Sequence, residues 1–208
     1  MTLFHYRSLL KKDDDFRAFL SYFVVFFWLF LGVPCLIILF FSPEPLLFLK
    51  AIGFSPGNTG RGLMILAAGA PIAVLAGFVG SRDDKLRRFY PFSKSACQNP
   101  RRFIVFETAY FFLYYVAWEF FYRGILFFPL IPPLGLAAAL ALQTTVSTLH
   151  HLGHPPSEIF ASLAAGVIFG LIAYFTDSFL YTIILHALTG ISTDTFIYLR
   201  DYRGIPPA

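Results

Sequence analysis

Charged residues are scarce in this chain of 208 residues: 13% are Asp, Glu, Lys or Arg, whereas 57% are hydrophobic and 19% aromatic. A soluble domain of this size has too small an interior to hide so much apolar surface, so the composition excludes that class. Short segments of alternating polarity, which mark a membrane β-barrel, are also lacking. We therefore predict an all-α integral membrane protein whose partner is the lipid bilayer.

Cysteine is nearly absent too, since Cys35 and Cys97 are the only two. Their spacing fits no metal site and gives no reason to expect a disulfide. The net charge of +4 is concentrated in loops, which makes nucleic-acid binding a poor explanation of it. We find no long-period repeat and no low-complexity linker. The chain, residues 1–208, is therefore predicted to form a single transmembrane domain.

Six apolar segments approach or exceed the length needed to cross roughly 30 Å of hydrocarbon. They cover residues 18–41, 62–80, 103–130, 136 to 150 or 151, 159–175 and 179–199. The first is longer than a signal-peptide core and lacks a cleavage site, so we expect it to be retained. The polar segment 1–17 precedes it, and the most basic loop, 81–102, follows the second. The positive-inside rule predicts a bundle of about six helices in the inner (cytoplasmic) membrane, with both termini cytoplasmic.

The third segment carries a carboxylate and a guanidinium, Glu119 and Arg123, in an otherwise apolar run. Residues four apart share one face of a helix, so the two side chains can pair. A lone charge at this depth would cost roughly 2.5–3.5 kcal/mol on insertion scales. The pair therefore indicates either a functional site or a salt bridge that fixes helix packing.

Other polar groups inside the later segments are few: Gln143, His151, His186 and Asp194. At 1.5 Å per residue, Glu119 and His186 lie about 16 and 12 Å below the outer helix ends, and His151 and Asp194 about 25 and 24 Å. Helix tilt leaves room for these groups to form one cluster near the midplane. Glu107, nearer the inner surface, is expected to be solvated.

A carboxylate beside an imidazole can take a proton from a water that attacks a carbonyl, while a second histidine donates to the oxyanion. Glu119, His151 and His186 also match a His/His/Glu zinc set with an open water position. The sequence contains no His-Glu-x-x-His motif of metal-dependent peptidases. No cofactor is required by these residues, and a divalent metal such as zinc remains optional.

Three motifs in order resemble those of the CPBP intramembrane proteases, a family that includes the CAAX prenyl endopeptidases. Its pattern is Glu-Glu-x-x-x-Arg, then Phe-x-x-x-His, then His-x-x-x-Asn on successive helices. The match covers residues 103–199, with Trp118-Glu119-Phe-Phe-Tyr-Arg123 as the first motif in a bacterial single-Glu form. The second is the run from Gln143 to His151, and its Leu-Gly-His-Pro-Pro-Ser-Glu tail favours His151 over His150. The third begins at His186.

The resemblance implies an intramembrane endopeptidase that cleaves a membrane-associated protein or peptide near its membrane segment or C-terminal end. Glu119 would activate water, His151 and His186 would hold water or the oxyanion, and Arg123 would orient Glu119. Three positions depart from the pattern. Trp118 replaces the first Glu, Ser147 the Phe and Gly190 the Asn, and Asp194 is the candidate replacement for that last polar partner.

Two other functions fit the same residues. A catalytically inactive membrane scaffold, partner-binding or immunity protein could keep the fold with a degenerate site. A proton-coupled carrier could use the same carboxylate and histidines, although six spans without an inverted repeat argue against it.

Overall fold

The computed structural model describes residues 15–203, so residues 1–14 of the predicted polar segment lie outside the described part. All regular secondary structure in this described part is helical, and it contains no strand. Its eight helices, in chain order, are α1 (Asp15–Phe41), α2 (Pro45–Ala51), α3 (Thr59–Gly80), α4 (Asp84–Phe89), α5 (Pro100–Leu134), α6 (Leu136–Leu149), α7 (Pro156–Thr176) and α8 (Leu180–Asp201).

Five of these helices, α1, α3, α5, α7 and α8, are long and apolar enough to cross a membrane. The protein is therefore a multi-pass helical membrane protein. The predicted fourth span is shorter than expected, because α6 has only 14 residues. Gly135, at φ 79°, separates it from α5, and the turn 150–155 follows it. At 1.5 Å per residue, α6 covers about 21 Å and so cannot cross the hydrocarbon alone.

Hydrogen bonds between loops show which helix ends lie together. Asp15 accepts hydrogen bonds from the Ser93 hydroxyl at 2.7 Å and the Lys94 amide at 2.9 Å. Arg87 pairs with Asp201 at 3.3 Å. The start of α1, the basic loop and the end of α8 therefore share one end of the bundle, which we call the basic end. At the opposite end, the Asn58 amide donates to the Thr176 carbonyl at 2.7 Å.

Aromatic side chains fill the contact between α1 and α5. The Phe23 and Tyr110 rings stack at 4.9 Å, and Phe26 stacks on Tyr114 at 4.3 Å. Phe23 and Phe26 are both almost completely buried. Offset stacking adds about 0.5–1.5 kcal/mol per pair beyond apolar burial. This cluster fixes the face of α5 that carries Trp118.

Two segments of α5, Tyr110–Tyr115 and Phe120–Ile125, are π-helical. A π-helical turn holds an extra residue, so residues five apart line up. The Tyr110 and Tyr115 rings accordingly lie 4.5 Å apart between centroids. These turns set the direction of side chains on α5 in a way that regular 3.6-residue periodicity does not predict.

Glycines let α3 approach α8 closely. A Cβ built on Gly77 would lie 2.6 Å from the Ser192 hydroxyl and 2.8 Å from the Thr189 carbonyl oxygen. Small residues of this kind are typical of helix contacts in membranes. Gly166 has the same role between α7 and α6, because a Cβ on it would lie 2.8 Å from the Thr144 side chain on α6.

Replacing Gly77 with Ala should therefore force α3 and α8 apart and lower the free energy of unfolding by about 1–3 kcal/mol. Gly60→Ala is the matched control, because its Cβ would meet only the Asn58 side chain at 3.7 Å. Unfolding of both variants in mixed micelles would measure the difference. Equal stability of the two variants would contradict this packing.

Candidate active site

Glu119 is completely buried and forms the centre of a polar cluster. Its Oε1 lies 2.7 Å from Nδ1 of His186, and its Oε2 accepts a hydrogen bond from the Thr182 hydroxyl at 2.8 Å. Thr182 and His186 are four residues apart on α8, so they face α5 from the same side of that helix. The predicted meeting of Glu119 and His186 is therefore present.

The predicted pairing of Arg123 with Glu119 is also present, with Nε 3.3 Å from Oε2. The two side chains form an ion pair without a hydrogen bond, so Nε and Nη1 of Arg123 are buried without a hydrogen-bond partner among the described residues. The guanidinium also lies over the Phe169 ring, 5.7 Å from its centroid. Arg123 therefore neutralises Glu119 and keeps unused N–H donors.

His186 lies between Glu119 and open space, with 22% of its side chain exposed. Because a carboxylate only accepts hydrogen bonds, Nδ1 must carry the hydrogen that Glu119 receives. The neutral ring then has its lone pair on Nε2. The arrangement orients an imidazole base through a buried carboxylate.

His151 presents its ring in the same way. Its Nδ1 lies 2.9 Å from the Ser147 carbonyl oxygen, one turn earlier in the chain, and must donate to it. Its Nε2 is therefore also an acceptor. The neighbouring His150 differs, because it lies 2.6 Å from the Tyr122 hydroxyl and does not line the cavity described next.

A cavity of about 400 Å³ joins the two histidines. It is bounded by α3, α5, α7 and α8 and extends toward the basic end, where Leu86 and Tyr90 contribute to its wall. Exposed residues of α3 and α7, including Val79 and Ala161, belong to the lining, so the cavity reaches the protein surface between these helices. Residues that line it near the histidines are Tyr115, Trp118, Arg123, His151, Phe169, His186 and Gly190.

Trp118 separates the two histidines. Its ring centroid lies 5.0 Å from that of His151 and 6.0 Å from that of His186. Glu119 points toward Arg123 and α8 and does not line the cavity. The indole thus occupies the place where the resemblance expects the first carboxylate, between the two imidazoles.

A second polar group lies at the basic end of the cavity. Oε1 of Glu158 is 2.6 Å from the Tyr90 hydroxyl and 2.9 Å from Nδ1 of His154, while Oε2 is buried without a hydrogen-bond partner in residues 15–203. Burial raises the pKa of Tyr90 well above its ordinary value, and the nearby Glu158 carboxylate adds to this effect. Tyr90 therefore remains a hydrogen-bond donor that ties the basic loop to α7.

Asp194 lines the cavity, but it does not supply a polar partner to His186. It is 1% exposed and lies against the carboxyl of Glu107. Glu107 itself is 7% exposed, so the expectation that it is solvated was wrong. Since both residues face inward where α5 meets α8, the two carboxyls lie close together in the interior.

The described residues include no group of three His, Cys, Asp or Glu side chains that could hold a metal ion. The optional zinc set of Glu119, His151 and His186 is therefore not assembled. The reason is local, because Trp118 lies between the histidines and both oxygens of Glu119 already have partners.

Three residues that contribute to this site were missed by the sequence analysis. Thr182 could have been predicted, because it lies one helical turn before His186 and therefore on the same face of the helix. Glu158 lay within the motif tail but was given no role. Tyr115 carried no signal, because its direction depends on the π-helical turn.

Residues 100–192 match the family model of type II CAAX prenyl endopeptidase Rce1-like proteins. No curated protein and no solved structure is significantly similar to the chain. The matched region contains Glu119, Arg123, His151 and His186 together with most of the residues that line the cavity, but not those of α3 and the basic loop. Through residues 100–192, the chain is therefore similar to the CAAX-type family of membrane proteases that its three motifs resemble.

Proposed function

We propose that this protein is an intramembrane endopeptidase that cleaves a membrane-associated protein or peptide near its membrane segment or C-terminal end. The observation that carries the proposal is His186, which is oriented by buried Glu119 and lines a cavity shared with His151. The match of residues 100–192 to a protease family supports a peptidase.

In the proposed reaction, a water in the cavity donates its hydrogen bonds to imidazole nitrogens of His151 and His186. His186 takes a proton from this water as the oxygen bonds to the scissile carbonyl carbon. Arg123 stabilises the negative charge on the carbonyl oxygen. The protonated His186 then returns the proton to the leaving nitrogen as the C–N bond breaks.

This proposal changes the role first expected of Glu119. Since Glu119 is fully buried and His186 lies between it and the cavity, the carboxylate orients the base and balances its positive charge. The same logic applies to an aspartate that holds a catalytic histidine in its reactive tautomer. Trp118 then provides an apolar wall between the histidines.

The basic end is proposed to face the cytoplasm, because the basic loop lies there together with the ends of the described chain, and the inner membrane is the proposed location. The opening between α3 and α7 would admit an extended peptide from the bilayer or from its cytoplasmic surface. We propose that the chain represents the bacterial single-Glu subgroup of the family.

A cavity-filling pair of variants tests the proposal. Ala165 lines the cavity, whereas the adjacent Ala164 faces outward. Membrane peptides from cells that express the wild-type protein, Ala165→Trp or Ala164→Trp should be compared by mass spectrometry. Cleavage products are expected with wild type and Ala164→Trp and should disappear with Ala165→Trp.

Ala161→Trp provides a second blocked form if Ala165→Trp folds poorly, since Ala161 also lines the cavity. Identical peptide profiles for wild type and a folded blocked variant would reject the proposed enzyme. Such a result would favour a binding or immunity role for the fold.

A further inference from the structure

The hydroxyl of Tyr115 occupies the place of a side chain at position 190. A Cβ built on Gly190 would lie only 1.7 Å from the Tyr115 hydroxyl oxygen and 2.8 Å from Cζ. No other glycine of the described chain has a side-chain atom so close. The phenol of α5 therefore fills the space that Gly190 of α8 leaves empty.

That space adjoins His186. Gly190 follows His186 by four residues, so both lie on one face of α8, and both line the cavity. The Tyr115 ring packs edge-on against the His186 ring, with centroids 4.9 Å apart. The hydroxyl is thus one helical turn from the proposed base.

Peptide cleavage in this cavity would require a hydrogen-bond donor near the carbonyl oxygen, because negative charge develops there. His151 and His186 both present acceptor nitrogens, and Trp118 separates them without a carboxylate or an amide. Among the residues nearest the histidines, the side-chain donors are the N–H groups of Arg123, the unpaired indole N–H of Trp118 and the O–H of Tyr115, and the Tyr115 hydroxyl is the one that lies against Gly190. A phenol can accept one hydrogen bond while donating another, so the packing of Tyr115 against the Tyr110 ring is compatible with donation from its hydroxyl to a substrate.

We propose that Tyr115 is a catalytic residue that donates a hydrogen bond to the substrate carbonyl oxygen as negative charge develops on it. It would do so from the position that a polar side chain at residue 190 would otherwise occupy. This inference rests on the proposed peptidase function.

The test is a rate comparison in liposomes of phosphatidylethanolamine and phosphatidylglycerol, with a mixture of internally quenched peptides that each carry an apolar segment. Tyr115→Phe removes only the hydroxyl and is expected to lower kcat about 10²-fold. KM and thermal stability should stay nearly unchanged, because the bond forms mainly in the transition state. Tyr122→Phe is the control, since it removes a buried hydroxyl of the same helix outside the cavity.

An exchange of the two side chains gives a second readout. Gly190→Asn alone should inactivate the protein, because its Cβ would collide with Tyr115. Combined with Tyr115→Ala, the same change should be tolerated and raise activity above that of Tyr115→Ala alone, since an amide N–H can replace the phenol.

Equal kcat for Tyr115→Phe and wild type, or no rescue in the double variant, would overturn the role of Tyr115 while leaving the peptidase intact. Failure of the wild-type protein to cleave any peptide of the mixture, together with unchanged cellular peptide profiles, would overturn both proposals.

Discussion

Replacing His186 with Ala is expected to lower the rate of peptide cleavage by about 10²–10⁴-fold, the usual contribution of a positioned acid or base. Nδ1 of His186 is bonded to the Glu119 carboxylate, and Nε2 is free to act in the cavity that the residue lines. Its loss would leave the attacking water without a proton acceptor. Initial rates on a peptide identified by the cellular comparison would measure the effect.

His150→Ala provides the matched control, because His150 is half-buried and packs against aromatic rings outside the cavity. Its replacement should affect stability more than turnover. If both histidine variants kept wild-type rates while folded, His186 would not be the proton acceptor in this enzyme.

Replacing Arg123 with Met is expected to destabilise the protein by about 3–5 kcal/mol, because it leaves a buried carboxylate without its counter-charge. Glu119 is 0% exposed and Arg123 is 2% exposed, so solvent cannot compensate for the missing partner. Unfolding in mixed micelles would report the free-energy change.

The double variant Glu119→Gln with Arg123→Met separates charge from packing. Removing both charges leaves no uncompensated ion, so most of the lost stability should return. Peptide cleavage should remain low in this variant, because His186 has lost its carboxylate partner. A double variant no more stable than Arg123→Met would mean that the loss came from side-chain packing.

The sequence predicted the parts of this molecule that depend on local spacing. Long apolar segments defined the membrane helices, and the spacing of Glu119 and Arg123 predicted their ion pair. The order of the three motifs predicted the similarity to a protease family that residues 100–192 show. These features follow from helix geometry and composition, and both can be read from the sequence of a single segment.

What depends on contacts between helices was less predictable. The depth estimate placed Glu119 near His186, but only the packing of α5 on α8 determines that their side chains meet. Glu107 was assigned to solvent from its depth, although α8 brings Asp194 against it. Helix depth limits which groups can meet and leaves their orientation open.

The π-helical turns of α5 explain why the directions of its side chains could not be predicted from the sequence. An extra residue in a turn rotates the following side chains relative to a regular helix, so the 3.6-residue pattern no longer predicts which face each one occupies. Tyr115 is the last residue of the first π-helical segment, so the sequence did not predict that its hydroxyl lies against Gly190.

Trp118 can serve as an intrinsic fluorescent probe of the site. The chain has two tryptophans, and the other, Trp28, is 50% exposed on the outer face of α1. Exchange of Trp28 for Phe would therefore leave a single fluorophore, packed against both His151 and His186. Its emission would respond to water, to protonation of either ring and to a bound peptide, so occupancy of the site could be followed without a label.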